Sequence, residues 1–257
     1  MSLLTCMLTR NRWYESGRTI PMTGIVVHSS GANNPRLSRY VQPTPGAEGY
    51  WKNMEALGTN AYANHWNRAD QPYGMHAFVG RLADGTVASV QTLPWDSFLW
   101  GCGSGKNGSY NNSHIQFEIC EDTTDPAYSR KAYREAAELC AHLCREFDIP
   151  VENIVGHGEA HKLGYASAHV DPEHWWVLYG MDMDEFRRDV QNLLNGYDVE
   201  EVDVVRYNKL SEVPDWARST VRKLVDKGLL NGDGTGLGLT GDMVRLLVIL
   251  DRTGVFG

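Results

Sequence analysis

Short apolar segments alternate with amphipathic helices over residues 1–196, and this alternation constrains the fold more than any other feature. Residues 24–28 read Gly-Ile-Val-Val-His, an apolar run that predicts a buried strand with a polar end. His114–Cys120 and Asn153–Gly156 predict two further strands, and Ser129–Phe147 carries an apolar stripe at helical spacing. Strands that alternate with long helices favour an α/β domain of three layers, with helices flanking a central sheet.

A hairpin signal predicts that this central β-sheet is mixed rather than fully parallel. Asp84-Gly85 separates the apolar segments Met75–Leu82 and Thr86–Gln91, and such a turn joins antiparallel strands. The segment from Gly46 to Arg68 is predicted to be mostly helical with a break at Gly58, and Met183–Leu194 is predicted to be the last helix of the domain.

The composition changes after Gly196 and indicates a second, smaller unit. We expect a catalytic domain over 1–196, an acidic linker over 197–205 and a small helical module over 206–257. In this module Pro214 suits the first turn of one helix, and Thr240 suits the cap of another. Because two short helices bury little apolar surface, the module is expected to pack on another surface.

Bulk properties exclude several classes of function. The net charge is −8 and Lys and Arg form no dense run, which argues against nucleic acid as the partner. No apolar stretch reaches the roughly 18 residues that a membrane span needs. Met1–Arg12 lacks the pattern of a secretory signal, so we expect synthesis in the cytoplasm. The five cysteines form no CxxC pair, which favours reduced thiols.

The densest chemical signal is the segment over 156–176, GHGEAHKLGYASAHVDPEHWW. It holds four histidines with acidic residues between them, and clusters of His and Asp are typical of zinc sites. A polar surface loop is the alternative. The spacing of His157 and His161 would suit one face of a helix, but Gly156, Gly158 and Gly164 predict that no regular helix forms there.

His28 is a weaker signal when it is taken alone. A histidine at the carboxyl end of a strand lies where open α/β folds place their sites, yet such a residue is as well explained by a structural hydrogen bond. The loop Gly101-x-Gly103-Ser104-Gly105-Lys106 partly matches a phosphate-binding loop. Its glycine spacing and Asn107 depart from that motif, which favours a loop that lines a substrate site.

Taken in order along the chain, these segments resemble the zinc-dependent N-acetylmuramoyl-L-alanine amidases. This family includes phage lysozymes of the amidase type and is related to the peptidoglycan recognition proteins. The matching features are the strands that carry His28 and Glu118, the Gly156-His157 pair and the run from His169 to Pro172. They span about residues 20–195 and lie in the order that the family shows.

The resemblance implies a role for each matching residue. His28, His157 and Asp171 match the three ligands of a Zn²⁺ cofactor, and Glu118 matches a general base. His169 falls where many members have a catalytic Lys or another polar group. Its closeness to Asp171 in sequence leaves a zinc ligand as the alternative.

Two residues are candidates for substrate binding. Trp100 could stack on a sugar ring, and His76 is a candidate contact for which core packing is the alternative. The family often has a Tyr before this strand histidine, whereas this chain has Met75. The role that this Tyr has in the family is therefore either absent here or taken by Glu118.

The implied activity is that of an endolysin-like peptidoglycan hydrolase. Such an enzyme cleaves the amide between N-acetylmuramic acid and L-alanine with zinc-activated water. It is made in the cytoplasm and acts on the bacterial cell wall after release. The alternative is a module of the same fold that binds muropeptides without cleaving them.

The last fifty residues resemble half of an S-layer-homology repeat. Two runs carry this similarity, Val213-Pro214-Asp215-Trp216-Ala217 and the segment from Leu224 to Gly232, which leads into a Gly-rich turn before a second helix. It implies attachment to the cell wall or formation of a homo-oligomer. A packing appendage without a ligand is the alternative.

Overall fold

The computed structural model of the protein describes residues 3–196, 207–232, 234 and 236–256. The chain divides into two compact units, Met1–Val199 and Glu200–Gly257. The predicted linker over 197–205 lies outside the described residues, and the division between the two units falls within it. No helix within the described residues is both long enough and apolar enough to cross a membrane.

The first unit is built on one six-stranded sheet. The strands are β1 Leu3–Thr5, β2 Gly24–Asn33, β3 Ala77–Arg81, β4 Val87–Gln91, β5 His114–Glu121 and β6 Ile154–Gly156. Their order across the sheet is β1-β4-β3-β5-β2-β6. Only the β3–β4 pair is antiparallel, and the other neighbours are parallel. The predicted mixed sheet is therefore confirmed, as is the hairpin around Asp84-Gly85.

Helices cover both faces of the sheet. They are α1 Tyr50–Leu57, α2 Pro126–Phe147, α3 His157–Lys162, α4 Glu173–Trp176 and α5 Met183–Leu194. On one face, α2 and α5 pack on strand side chains that include Ile25 and Phe117. On the other, α1 contributes Leu57 to a cluster around Phe78. This is the predicted α/β architecture of three layers.

The long helix α2 begins and ends where its sequence favours it. The Asp125 side chain accepts a hydrogen bond from the backbone N–H of Tyr128 at 3.0 Å, and Pro126 occupies the first turn. Asp148 adopts a left-handed conformation with φ of 55° and ends the helix. The buried stripe of α2 then fixes this helix across the sheet, behind the strands that carry the candidate site residues.

The segment predicted to be mostly helical over 46–68 forms a helix only before the expected break at Gly58. Only Tyr50–Leu57 is helical, because Gly58 leaves the helical region with φ of 80°. Beyond it, the side chains of Asn60 and Asn67 donate to the backbone carbonyls of Arg39 and Gln42. Side-chain hydrogen bonds of this kind compete with the backbone bonds of a helix, so the segment forms an ordered loop instead.

The second unit has a small core of its own between α6 Asp215–Asp226 and α7 Gly241–Arg252. Thr240 caps α7 as predicted and accepts a hydrogen bond from the backbone N–H of Met243 at 3.2 Å. The core joins Val213, Ala217 and Val221 to residues of α7. The five cysteines, all in the first unit, are buried free thiols as predicted.

Candidate active site

The site lies at the carboxyl edge of the parallel strands. His28 is in β2 and is paired in register with Glu118 of β5. The adjacent strand β6 ends at Gly156, and His157 follows it directly as the first residue of α3. Because parallel strands point their carboxyl ends to one edge, these separate parts of the sequence meet there.

Three side chains converge closely at this edge. His28 Nδ1 lies 3.2 Å from Asp171 Oδ2 and 3.0 Å from His157 Nδ1. His157 Nδ1 lies 3.4 Å from Asp171 Oδ1. All three residues are buried, and their potential ligand atoms lie within 4.8 Å of one another. The three residues that match the family's ligands are thus brought together, and they could hold a metal ion.

The helix α3 corrects the prediction that no helix forms at His157. Gly156 and Gly158 do not break it; they make room for the Glu173 side chain. A Cβ on either glycine would lie about 3 Å from the Glu173 carboxylate, at 2.9 and 3.0 Å respectively. Glu159 closes the first turn by accepting from Gly156 N at 3.1 Å. Gly156 and Gly158 therefore serve close packing rather than chain reversal.

Asp171 is held as a carboxylate by its neighbours. Burial alone would raise the pKa of Asp171, but hydrogen bonds with His157 and His28 outweigh it and lower the pKa well below its usual range. The backbone N–H of Ser29 adds a further donor at 3.3 Å. An ionised carboxylate beside two imidazoles is the form that a divalent cation requires.

Glu118 faces the same cleft, but its pKa is raised rather than lowered. Burial raises the pKa of Glu118 well above its usual value, and the nearby carboxylates of Asp171 and Glu121 raise it further. Its Oε2 atom is buried and has no hydrogen-bond partner among the described residues. A buried carboxyl group with an unused oxygen is suited to accept and release a proton.

The cleft has a volume of about 880 Å³ and is large enough for part of a glycopeptide. Around the cluster, its walls include Trp66, Tyr73, Trp100, Glu118, His169 and His174. Trp100 is 39 % exposed, as a stacking surface requires. The predicted substrate contact Trp100 thus lines the cleft.

His169 lies beside the cluster rather than within it. Its ring centroid is 4.5 Å from that of His157, and its Nδ1 lies 3.0 Å from Ser167 Oγ. The three-residue cluster at the edge of the sheet does not include it. This placement favours a role toward substrate over one as a zinc ligand.

His76 does not reach the cleft, which corrects its assignment as a substrate contact. Its ring is fully buried; Nε2 lies 2.9 Å from Ser97 O, and Nδ1 accepts from Gln116 N at 2.9 Å. Burial lowers the pKa of His76 to about 4, although these two hydrogen bonds act in the opposite sense. Both ring nitrogens of His76 form hydrogen bonds within the protein, so His76 stabilises the sheet and does not contact substrate.

Three further polar residues at the site were missed from the sequence. Gln116 Oε1 lies 3.0 Å from His28 Nε2, and Ser167 Oγ lies 3.4 Å from His157 Nε2. Asn111 contacts Gln116 in turn. Gln116 had a readable signal, because its position two residues before Glu118 places both side chains on the same face of β5.

Comparison with known proteins agrees with this geometry. The model of the N-acetylmuramoyl-L-alanine amidase family matches residues 18–174, which is more than half of the 257 residues. The chain belongs to this family. The matched segment includes Glu118 and all three residues of the His28, His157 and Asp171 cluster.

The alignment with an individual member of the amidase family covers a shorter part of the chain. The N-acetylmuramoyl-L-alanine amidase CwlA of a Bacillus species is 37 % identical over 71 residues, which cover 28 % of this chain and 28 % of CwlA. This chain therefore aligns with little more than a quarter of the length of that relative.

Solved structures with a similar fold include an endolysin and a hydrolase. A mutant endolysin from Bacillus subtilis covers 74 % of this chain, and 99 % of its own, at 21 % identity and a TM-score of 0.48. The Staphylococcus aureus hydrolase AmiA, in complex with its ligand, covers 77 % of this chain and 86 % of its own, at 19 % identity and a TM-score of 0.48. Membership of the amidase family rests on the match over 18–174.

Proposed function

We propose that this chain is a zinc-dependent N-acetylmuramoyl-L-alanine amidase that hydrolyses bacterial peptidoglycan. The bond cleaved is the amide between N-acetylmuramic acid and L-alanine. The observation that carries the proposal is the buried convergence of His28, His157 and Asp171, with ligand atoms within 4.8 Å of one another. Family membership supports the choice of substrate.

The residues present fit a catalytic zinc ion. Two imidazole nitrogens and one carboxylate form a set of three protein ligands, which leaves a coordination position open for substrate or water. The cluster opens to the cleft, so this position is accessible. When bound, zinc would supply Lewis acidity, which makes water acidic near neutral pH and polarises a carbonyl oxygen.

Glu118 would carry the proton in this reaction. Its unpartnered Oε2 could take a proton from the attacking water and return it to the nitrogen of L-alanine as the amide bond breaks. The negative charge of Asp171 raises the pKa of Glu118, after the larger effect of burial, and so strengthens Glu118 as a base.

Two residues of the cleft would act on the substrate directly. His169 is exposed beside His157, with Nδ1 on Ser167, so that Nε2 remains available to the carbonyl oxygen on which charge develops. Trp100 offers an exposed indole face on which a sugar ring could stack.

The test is a digest of purified peptidoglycan in which new amino termini are identified by mass spectrometry. The wild-type protein should release stems that begin with L-alanine, and chelation of zinc should abolish this release. Glu118→Gln should lower kcat by about 10²- to 10⁴-fold while wall binding is retained. The exposed Glu152→Gln is the matched control and should keep wild-type activity.

The same digest distinguishes the alternative function. A protein that binds muropeptides but releases no amino terminus, with zinc present, would be a recognition module on the amidase fold. Activity that survives complete removal of zinc would contradict the proposed mechanism. The complete set of ligands and the buried Glu118 favour the enzyme.

For the second unit we propose attachment to the cell wall or self-association. Trp216 is 52 % exposed at the start of α6, where the S-layer-homology resemblance lies. Trp216→Ala should weaken either sedimentation with purified sacculi or self-association measured by analytical ultracentrifugation, relative to Ser219→Ala. Unchanged behaviour in both assays would favour a packing appendage. Within this proposal the protein is made in the cytoplasm and reaches the wall after release.

A further inference from the structure

A buried asparagine links the glycine-rich loop at 101–103 to the site. Asn111 Oδ1 accepts hydrogen bonds from the backbone N–H groups of Gly101 and Cys102, both at 3.0 Å, and from Gln116 Nε2 at 2.9 Å. Asn111 Nδ2 donates to Gly103 O at 2.9 Å. Asn111 and Gln116 are both buried, so no solvent competes for these bonds.

These bonds determine which nitrogen of His28 carries a hydrogen. Backbone N–H groups can only donate, so the Asn111 atom that faces them must be the oxygen. The Gln116 amide must then present its NH₂ group to Asn111 and its oxygen to His28. Since Gln116 Oε1 lies 3.0 Å from His28 Nε2, that nitrogen is the donor. The hydrogen bond from Nδ1 to Asp171 forms when this nitrogen also carries a hydrogen; in the neutral ring, Nδ1 keeps its lone pair for the metal.

A second branch of the network acts on His157. Ser167 Oγ carries one hydrogen and lies 3.1 Å from the carbonyl oxygen of Cys102 and 3.0 Å from His169 Nδ1, either of which can accept it. Whichever of the two accepts the hydrogen, a lone pair of Ser167 Oγ is left to accept from His157 Nε2 at 3.4 Å. In the neutral ring, Nδ1 of His157 then keeps its lone pair and faces the ligand cluster.

Gly101 and Gly103 of the loop leave room for the side chains of Gln116 and Ser167. A Cβ at Gly101 would lie 2.4 Å from Gln116 Oε1, and a Cβ at Gly103 would lie 2.6 Å from Ser167 Oγ. Gly103 also has φ of 68°, which disfavours other residues. The Gly-x-Gly spacing is thus explained by close approach to both side chains that contact the ligand histidines.

We propose that Asn111, Gln116 and Ser167 form one positioning network that presents Nδ1 of both His28 and His157 to the metal. The inference rests on the proposed zinc site. None of the three residues is a ligand; they act through the imidazoles, by fixing the tautomer and the ring orientation. Loss of such an outer partner typically lowers metal affinity by about 10- to 100-fold.

The decisive variant is Gln116→Met, which keeps the length of the side chain and removes the acceptor for His28. Zinc affinity is measured by competition with a chromophoric chelator, and imidazole tautomers are read from ¹H–¹⁵N NMR spectra of the metal-free protein. We expect affinity to fall by about 10- to 100-fold and His28 to lose its defined Nε2–H form. Gln116→Glu keeps an acceptor at His28 and should recover part of the affinity.

Two further variants separate the branches of the network. Ser167→Ala, on a partly exposed loop, should change the tautomer of His157, weaken zinc binding and leave the His28 signal unchanged. Asn111→Leu should affect both histidines. The control is Asn112→Leu, one residue further along the same turn, where the exposed side chain contacts neither histidine. Asn112→Leu should bind zinc like the wild-type protein.

The outcomes distinguish this inference from the proposed function. Folded Gln116→Met and Ser167→Ala proteins that bind zinc within twofold of wild type, with unchanged tautomers, would overturn the network. A wild-type chain that binds no zinc would overturn the proposed function instead. The NMR spectra of the metal-free protein would still decide whether Gln116 and Ser167 fix the two tautomers.

Discussion

Asp171 and Glu118 lie in one cleft, but their pKa values are shifted in opposite directions. Burial would raise the pKa of both, but Asp171 has hydrogen bonds with two histidines that lower its pKa, whereas Glu118 Oε2 has no partner among the described residues. Asp171 is therefore suited to remain a charged ligand, and Glu118 is suited to exchange a proton. Such a division of environments is how carboxyl groups acquire different roles in a single site.

The raised pKa of Glu118 has a consequence for stability. A carboxyl group whose pKa is higher in the folded than in the unfolded protein contributes stability at low pH, and this contribution is lost as pH rises through the folded value. In the metal-free protein at pH 7, Glu118→Gln should therefore raise the Tm. Near pH 4 the difference should vanish, because Glu118 is protonated there. Thermal melts with chelator at both pH values check this, and a lower Tm at pH 7 would contradict it.

His169 provides a second prediction at the residue scale. Because it lies outside the ligand cluster, His169→Ala should leave zinc affinity unchanged. If it stabilises charge on the carbonyl oxygen, the substitution should lower kcat by about 10²- to 10³-fold. Chelator competition and digestion kinetics measure the two effects separately. A large loss of zinc affinity would instead identify His169 as a ligand.

At the scale of elements, the end of each parallel strand delivers one part of the site. His28 comes from β2, Glu118 from β5, and His157 begins the helix that follows β6. Two strands of the sheet, β3 and β5, have a buried histidine at their start. His114 opens β5 and His76 directly precedes β3, and burial is the first cause that lowers the pKa of each to about 4.

Acid should therefore weaken the sheet before it protonates most carboxylates. A histidine with a depressed pKa contributes stability above its unfolded value of about 6.5, and this is lost as pH falls toward 4. From pH 7 to pH 5, each should cost up to about 2 kcal/mol of unfolding free energy. Urea unfolding checks this: His114→Gln should show a smaller loss than wild type over that range. Between pH 7 and 8 the two proteins should respond alike.

At the scale of the whole molecule, the two units have separate cores, so we expect zinc to affect the unfolding of one unit without affecting the other. The ligand cluster lies entirely in the first unit, and α6 and α7 form the core of the second. Zinc bound to the native first unit stabilises that unit by mass action, by about 2.7 kcal/mol at a free concentration one hundred times the Kd.

Removal of zinc should consequently shift the unfolding of one unit only. In differential scanning calorimetry, chelator should lower the transition temperature of the first unit. Tryptophan fluorescence of Trp216, in a variant whose other tryptophans are replaced by Phe, follows the second unit and should show no shift. A parallel shift in both would indicate that the units unfold together.

Local patterns in the sequence were sufficient for much of this protein. Alternation and helical spacing predicted the hairpin, the long helix α2 and the last helix of the first unit, because each depends on neighbours within a few residues. The same patterns failed beyond Gly58 and at His157. In both places distant side chains, such as Glu173 against Gly156, decide the local backbone conformation.

The density of histidine and aspartate in the sequence predicted metal chemistry, but only the tertiary structure decided which side chains meet. His28 and Asp171 lie 143 residues apart in sequence, yet their side chains approach to 3.2 Å because β2, β5 and β6 end at one edge. Burial separates His76 from the cleft, and Asn111 brings Gln116 and the 101–103 loop together. Residue type sets what a group can bind, whereas packing sets where its donor and acceptor atoms point.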